Sequence, residues 1–321
     1  MERPLFKSLS ADKPTAPGAK QYIVEQLRKT YASNFQWFNG STVVTYNRRQ
    51  TLEQAQYPWR SAHDGFSLDE DRLIQHGIKV SDDGPGESAS DAEVMQLTNL
   101  LKEQLEVLKL GFVEQFSIAL HLDGTSSTDA VEGLDKIISF TTTSGTVGGI
   151  NKATEIWWRN DARTGLTFAT AAGTIVDQME LARRACIRNG GSGPFAIIAG
   201  STFYDAYRTF NSVNFGRMDF TPNQKRQIDA GTNKLMFWGD EMMWSPEFSV
   251  LDGLGVVSPV WEKRCYFLNM RHLKLRPIEG QDMITRKPPR AYDKYEYYWG
   301  ITWRGAMTCN RLNAHSALGV V

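Results

Sequence analysis

The chain has 321 residues, 41% of them apolar and 22% charged, which is enough to bury a substantial core and argues against wholesale disorder. Its 36 Lys and Arg balance 36 Asp and Glu, which argues against a protein whose main task is coating nucleic acid. Cys186, Cys265 and Cys309 are scattered and odd in number, so neither a disulfide framework nor a CxxC metal pair is indicated, and a reducing compartment is the simpler expectation. With no run of about 18 apolar residues and no apolar signal core at the N-terminus, a soluble, unsecreted protein is expected.

Residues 1–20 are rich in Pro, Ser, Lys and Ala and predict an extended arm, followed by a short helix over Gln21 to Thr30. The first 30 residues hold six Lys and Arg against three Asp and Glu, a mildly basic balance. "STVVTYNRR" (41–49) is β-branched and predicts a strand, and "RLIQHGIKV" (72–80) predicts a second. Between them Tyr57, Pro58, Trp59, His63 and Phe66 follow no helical period. So long a connection inside a compact domain is usually functional, and the segment reads as a projecting two-stranded tongue. After "DDGPGES" (82–88), Ser90 and Glu93 make a capping box. Val94, Leu97, Leu101, Leu105, Leu108, Phe112 and Phe116 then recur every three or four residues. They predict a helix over 90–120, roughly 45 Å long at about 1.5 Å per residue, a spine for the molecule.

The second half alternates elements. A helix is predicted over 170–188, with Ile175, Met179, Ala182 and Cys186 on one face and "NGGSGP" ending it. "FAIIAG" (195–200) predicts a buried strand, and Thr202 with Asp205 can cap the next helix. "KLMFWGDEMMW" (234–244) predicts a hairpin turning at Gly239-Asp240. Tyr295, Tyr297, Trp299, Ile301 and Trp303 alternate with more polar residues, a half-buried strand with an aromatic face. The class is α+β, without internal repeats.

Catalytic templates fail along the whole chain. "GTVGGINKATEIWWRND" (145–161) holds glycines and a lysine, but a phosphate loop needs glycine just before the lysine and a hydroxyl residue just after it. Lys152 lies between Asn151 and Ala153, so the glycines fit a tight turn or a close backbone approach instead. In "GGSGP" (190–194) Pro194 stands where a nucleophile elbow requires its second glycine, and Ser192 reads as a loop residue. His63, His76, His121, His272 and His315 never reach metal-ligand spacing. "HLDG" (121–124) reads as the end of the spine helix. No catalytic, metal or cofactor site is expected.

The order of parts is arm, tongue, spine helix, mixed α/β region and returning aromatic strand. Three segments add detail. "GTVGGINKATEIWWRND" is similar to a "GG-x-(N/D)-R/K … W-R-N" stretch, and "YFLNMRHLKLRP" (266–277) to "Y-F-L-N-T-x-Y-L". "WGITWRGAMTCNRLNAHSALG" (299–319) is similar to a closing "W-x-G-N-L-x-C-x-N-R-R-x-x-G" run, with Ala306-Met307 in place of Asn-Leu and Leu312 in place of the second Arg. Together, over most of residues 35–321, the chain resembles the tailed-phage major capsid proteins of the Hong Kong 97 fold.

That resemblance implies an α+β fold with an N-terminal arm (1–34), an extended E-loop tongue (35–87) and the spine helix of a peripheral domain (88–122). A mainly axial domain (123–260) and return strands largely of the peripheral domain (261–321) complete it. It implies a head protein of the virion, assembled in the host cytoplasm, that forms hexamers and pentamers of an icosahedral shell around double-stranded DNA. The partners implied are further copies of itself, a portal, a cementing protein and packaged DNA contacted non-specifically, with no membrane and no cofactor. Because the chain begins near the arm, a separate scaffolding protein or a removed segment is implied as well. An encapsulin-type compartment shell shares the fold, although the phage-like segments favour the virus. An enzyme with an unfamiliar site around the glycines and tryptophans is the alternative of a different class.

Candidate interface residues are Arg48, Arg49, Tyr57, Trp59, Arg60, Phe66, Asp69, Glu70 and Asp71. Residues 64–93 carry nine Asp and Glu against two Lys and Arg, and residues 261–321 eleven Lys and Arg against five Asp and Glu. Patches of opposite sign select register and partner and suit a repeating heterologous contact; unrelated solvated faces would carry the same composition. Some proteins of this family weld subunits by isopeptide bonds between a tongue lysine and a neighbour's asparagine. No lysine lies between Lys29 and Lys79, so a non-covalent hold is expected here.

Overall fold

A computed structural model of the chain describes residues 3–18, 20–29, 33–48, 50–76, 80–81, 84–85, 91–166, 172–215, 235–255, 257–288 and 294–320. Where an extended arm is expected, residues 4–10 form a helix that packs on the body. Proline opens helix α1 (Pro4–Ser10), whose Leu5 and Leu9, one turn apart, are both buried. The chain that follows is sewn to the body: the Ala16 N–H donates to the Pro277 carbonyl and the Glu279 N–H to that of Ala16.

The helix expected over 21–30 is instead strand β1 (Tyr22–Arg28), with Ile23, Glu25 and Leu27 buried in a period of two. Its antiparallel partner is β2 (Leu52–Pro58), with Tyr22 opposite Pro58 and Arg28 opposite Leu52. The tongue therefore lies earlier than the sequence suggests, with residues 41–48 at its tip, irregular and exposed, not in a strand. Strand β3 (Arg60–Asp69) follows, then helix α2 (Glu70–Gln75), which occupies the start of the expected second strand, and the short pair β4 (Val80–Ser81) and β5 (Gly84–Pro85). β-Branched composition favours a strand only where a neighbouring strand covers it. Residues 41–48 have no such partner among the described residues.

The spine is α3 (Asp91–His121). Leu108, Phe112 and Phe116 are buried, while Leu101 and Leu105 are half-buried against Leu68, Leu73, Tyr297 and Trp299. Ser90 and the side chains of Glu93, Val94 and Leu97 lie outside the described residues. Next come α4 (Leu134–Ile137), β6 (Thr146–Val147), β7 (Ile150–Asn151), β8 (Asp161–Leu166), α5 (Ala172–Gly190), β9 (Phe195–Ala199) and α6 (Ser201–Phe215). The rest is β10 (Met236–Phe237), β11 (Asp240–Trp244), α7 (Glu247–Leu254), β12 (Arg264–Asn269), β13 (Leu273–Pro277), β14 (Ile284–Arg286), β15 (Glu296–Cys309) and β16 (Ser316–Val320). The β10–β11 turn sits one residue earlier than expected, on Trp238 (φ 52°) and Gly239 (φ 90°).

Two sheets organise two cores. In the first, β15 is central: β3 runs beside it from Arg60 opposite Gly305 to Asp69 opposite Glu296, and β13 and β14 pair with its other edge. Tyr297, Trp299, Ile301 and Trp303 point inward from β15, whereas Tyr295 precedes the strand and is exposed. Here α1, α3 and α7 share one core with β15. The second sheet has six strands in the order β10-β11-β9-β12-β16-β8. Its core joins Ile175, Met179, Ala182 and Cys186 of α5 to Ile197, Phe203, Phe267 and Leu318. Residues 261–320 thus divide between the sheets, β13, β14 and β15 belonging to the four-stranded one and β12 and β16 to the six-stranded one. No helix of the described residues is long and apolar enough to cross a membrane.

Candidate subunit interface

The segment 145–161 is a packed turn that seats the tongue. Between β6 and β7, Gly148 (φ 60°) and Gly149 (φ 79°) make a two-residue turn with left-handed backbone at both positions. Gly148 also meets a spatial demand: a Cβ there would lie 2.8 Å from that of Ala55 on β2. Its carbonyl accepts the Gln56 N–H at 2.9 Å. Lys152 is buried, its Nζ donating to the Ile137 carbonyl and Ser139 Oγ, each at 3.2 Å, and burial pushes its pKa down to about 8. Trp158 is buried with Nε1 donating to the Val147 carbonyl at 3.0 Å. Arg159 donates to the carbonyls of Lys152 and Ala153, and Asn160 Nδ2 to that of Ser139. Each of these donors is engaged in a structural bond, while Asn160 Oδ1 is buried without a partner.

The tongue divides into a packed root and an uncovered tip. At the root, the Tyr57 hydroxyl donates to the Cys309 carbonyl at 2.7 Å, and Glu25 meets Arg276 at 2.6 Å and the Thr308 hydroxyl at 3.0 Å. At the tip, Phe35, Trp37, Phe38, Val43 and Tyr46 are 71–93% exposed. The hydrogen bonds described for residues 33–48 are local; Asn39 Oδ1, for example, accepts from the hydroxyls of Ser41 and Thr42.

The residues singled out from sequence scatter across these regions. Arg48 is exposed on the tip, and Arg49 lies outside the described residues. Tyr57 is 1% exposed, a core residue with no surface for a neighbour, because the tongue's base and not its tip passes through it. Trp59 is half-buried and donates from Nε1 to the Lys20 carbonyl at 3.1 Å. Arg60 lies 3.9 Å from the exposed Asp129. Phe66 stacks on Trp299 at 5.5 Å within the first sheet. Asp69 ends β3, and Glu70 and Asp71 open α2; Asp69 and Asp71 are exposed and Glu70 half-buried. The five tip side chains were missed. For Phe35, Trp37 and Phe38 the signal was available in "NFQWFNG", an aromatic cluster with neither helical nor strand period, whereas Val43 and Tyr46 lie in the 41–49 stretch whose composition predicts a strand.

Buried polar groups tie the first helix to the spine. Arg3 reaches Glu114 at 3.0 Å and Glu247 at 3.3 Å, and Ser117 Oγ donates to Glu247 at 2.9 Å. His121 Nδ1 lies 2.8 Å from the Ser117 carbonyl and 3.6 Å from Glu247. Burial pushes the His121 pKa down to about 4 and the Glu247 carboxyl up. His315 is buried too: its Nδ1 accepts the Asn269 N–H at 3.1 Å, and burial pushes its pKa down to about 3. Among the described residues no group of three His, Cys, Asp or Glu is placed to hold a metal ion.

No protein-family model matches the sequence, and no curated protein does. Solved structures match it along nearly its whole length. A chain of the capsid asymmetric unit of cyanophage A-1(L) has a TM-score of 0.64 at 12% identity, covering 99% of this chain and 92% of that one. The capsid of the native GTA particle gives 0.59 at 14% identity over 100% and 91%. The capsid of the myovirus XM1 gives 0.53 at 11% identity over 96% and 90%.

Proposed function

We propose that this chain, which has the Hong Kong 97-type fold of tailed-phage capsid proteins, is itself a major capsid subunit that self-assembles into an icosahedral shell around double-stranded DNA. The observation that carries this reading is the tongue: five large apolar side chains held out on a two-stranded stalk, beyond the reach of their own core. Burying a side chain of that kind gains about 1.5–3 kcal/mol over leaving it wet. Covering five against another copy offers on the order of 10 kcal/mol before the cost of ordering them. A tongue on one subunit and a receiving surface on the next form a head-to-tail contact, which closes into rings where the rotation permits. The capsid chains of like fold support the same reading.

In this reading the E-loop is β1, β2 and the segment between them. The peripheral domain is α3 with the four-stranded sheet, and the axial domain is the six-stranded sheet with α5 and α6. Hexamers and pentamers, a portal, a scaffolding protein, a cementing protein and packaged DNA are the partners proposed, the host cytoplasm is the place of assembly, and the role is structural, not enzymatic. Electron microscopy of the purified protein tests it. Closed icosahedral shells are expected as concentration rises, whereas a persistent monomer or dimer at every concentration and salt would overturn it.

A further inference from the structure

The segment that seats the tongue touches it at two separated points. One is the Gly148 carbonyl on the Gln56 N–H of β2. The other is Lys29, just past β1, whose N–H donates to the Thr51 carbonyl and prolongs the ladder by one residue. Its Nζ lies 2.9 Å from Glu155 and 3.5 Å from Glu53, and 5.6 Å from the ring centre of Trp157. Trp157 Nε1 donates to the same Glu155 carboxylate, and its ring lies 5.3 Å from that of the buried Trp158. Thr51 and Gln56 are five residues apart, roughly 17 Å at about 3.4 Å per strand residue. A single contact would act as a pivot. Two contacts at that separation fix a direction.

We infer that Lys29, Glu155 and Trp157 form a latch that sets the angle of the tongue and so positions its tip for a neighbouring copy. The second half of this inference rests on the shell reading above; the first does not. Lys29 is the only lysine between Lys20 and Lys79, so no other amine on the tongue replaces it. The Lys29 and Glu155 side chains are both half-buried, 30% and 31% exposed, and still reached by solvent, so the latch is weak and ionic-strength dependent. It can therefore hold a subunit in one posture and still release it during assembly.

Hydrogen exchange of the unassembled full-length subunit, followed by electron microscopy, tests this. Lys29→Met and Glu155→Gln should each speed exchange in the peptide covering 52–58 by about two- to fivefold, the range of an exposed pair. The Gln56 amide, which points at the hairpin and not at β1, should respond most. Lys29→Arg should restore the wild-type rate, and raised salt should loosen the wild type as the variants are loosened. The loosened variants should form fewer closed shells or shells of irregular size. Unchanged exchange in both variants would overturn the latch, and faster exchange accompanied by wild-type shells would overturn its role in positioning the tip. Faster exchange in variants of a wild type that forms no shells would uphold the latch and overturn the shell reading alone.

Discussion

His121 ends the spine helix with a fully buried ring. Edges of Phe248 and Trp261 face it at 5.4 and 6.1 Å, Glu247 and Arg3 stand on its polar side, and burial holds its pKa at about 4 against an ordinary 6.5. Between those values the unfolded chain binds a proton that the folded chain refuses, so stability falls as pH falls. A shift of that size amounts to roughly 3 kcal/mol over the window, and His315, near 3, acts in the same direction. The carboxyls of Glu132, Asp135 and Glu247 are pushed up by burial and oppose the trend just above the ordinary carboxylate range. The subunit should therefore have a lower urea midpoint at pH 5 than at pH 7, and His121→Gln should shrink that difference. Equal midpoints in the wild type would show that these rings are not excluded from water. The position of His121 at a helix end was legible in the sequence. Its burial was not, because the covering rings come from more than 120 residues away.

At the scale of elements, the spine and the tongue show what a sequence can and cannot carry. The spine was readable because its stripe of Leu108, Phe112 and Phe116 repeats every turn, and a helix satisfies its own backbone. In β1 the middle inward residue is Glu25, held by Arg276 and Thr308 some 250 residues on, so the period of two was hidden. The tip, rich in β-branched and aromatic residues, has strand composition without a strand to pair with among the described residues. These placements separate two deletions. Replacing residues 34–47 by a short Gly-Ser linker should leave circular dichroism and thermal unfolding close to wild type and abolish shells, since the tip contributes nothing to the core. Removing 52–68 should unfold the subunit: it strips β2 and all but the last residue of β3, exposing β15 along one edge and leaving Trp299 without the stacked Phe66. A folded 52–68 deletion, or an unfolded tip deletion, would contradict the assignment of tip and root.

At the scale of the whole molecule, the order of parts was legible and the assembly of the sheets was not. The strand order β10-β11-β9-β12-β16-β8 sets β16 parallel to β8, with Ser316 opposite Asp161, a pairing across more than 150 residues that no local pattern announces. The lysine distribution, by contrast, reads directly and bears on how a shell would be held. Residues 30–78 contain no lysine, and moving the tongue to its observed place keeps the whole tip inside that stretch. Lys29 stands at the root, committed to Glu155 and Glu53. The tip has aromatic rings and Arg48 to offer a neighbour, but no amine that could displace the amide nitrogen of an asparagine. In a shell its hold would come mainly from the removal of apolar surface from water, about 25 cal/mol per Å². That hold would be repeated at every neighbour, so that detachment would require losing several contacts at once. Detergent and heat dissolve such contacts and leave covalent ones. Boiling assembled particles in detergent should therefore release this protein as a single band at monomer mass. A ladder of multimers that survives reductant would show a covalent weld, and Lys29→Arg and Lys79→Arg would then reveal whether either lysine bounding this stretch of sequence supplies its amine.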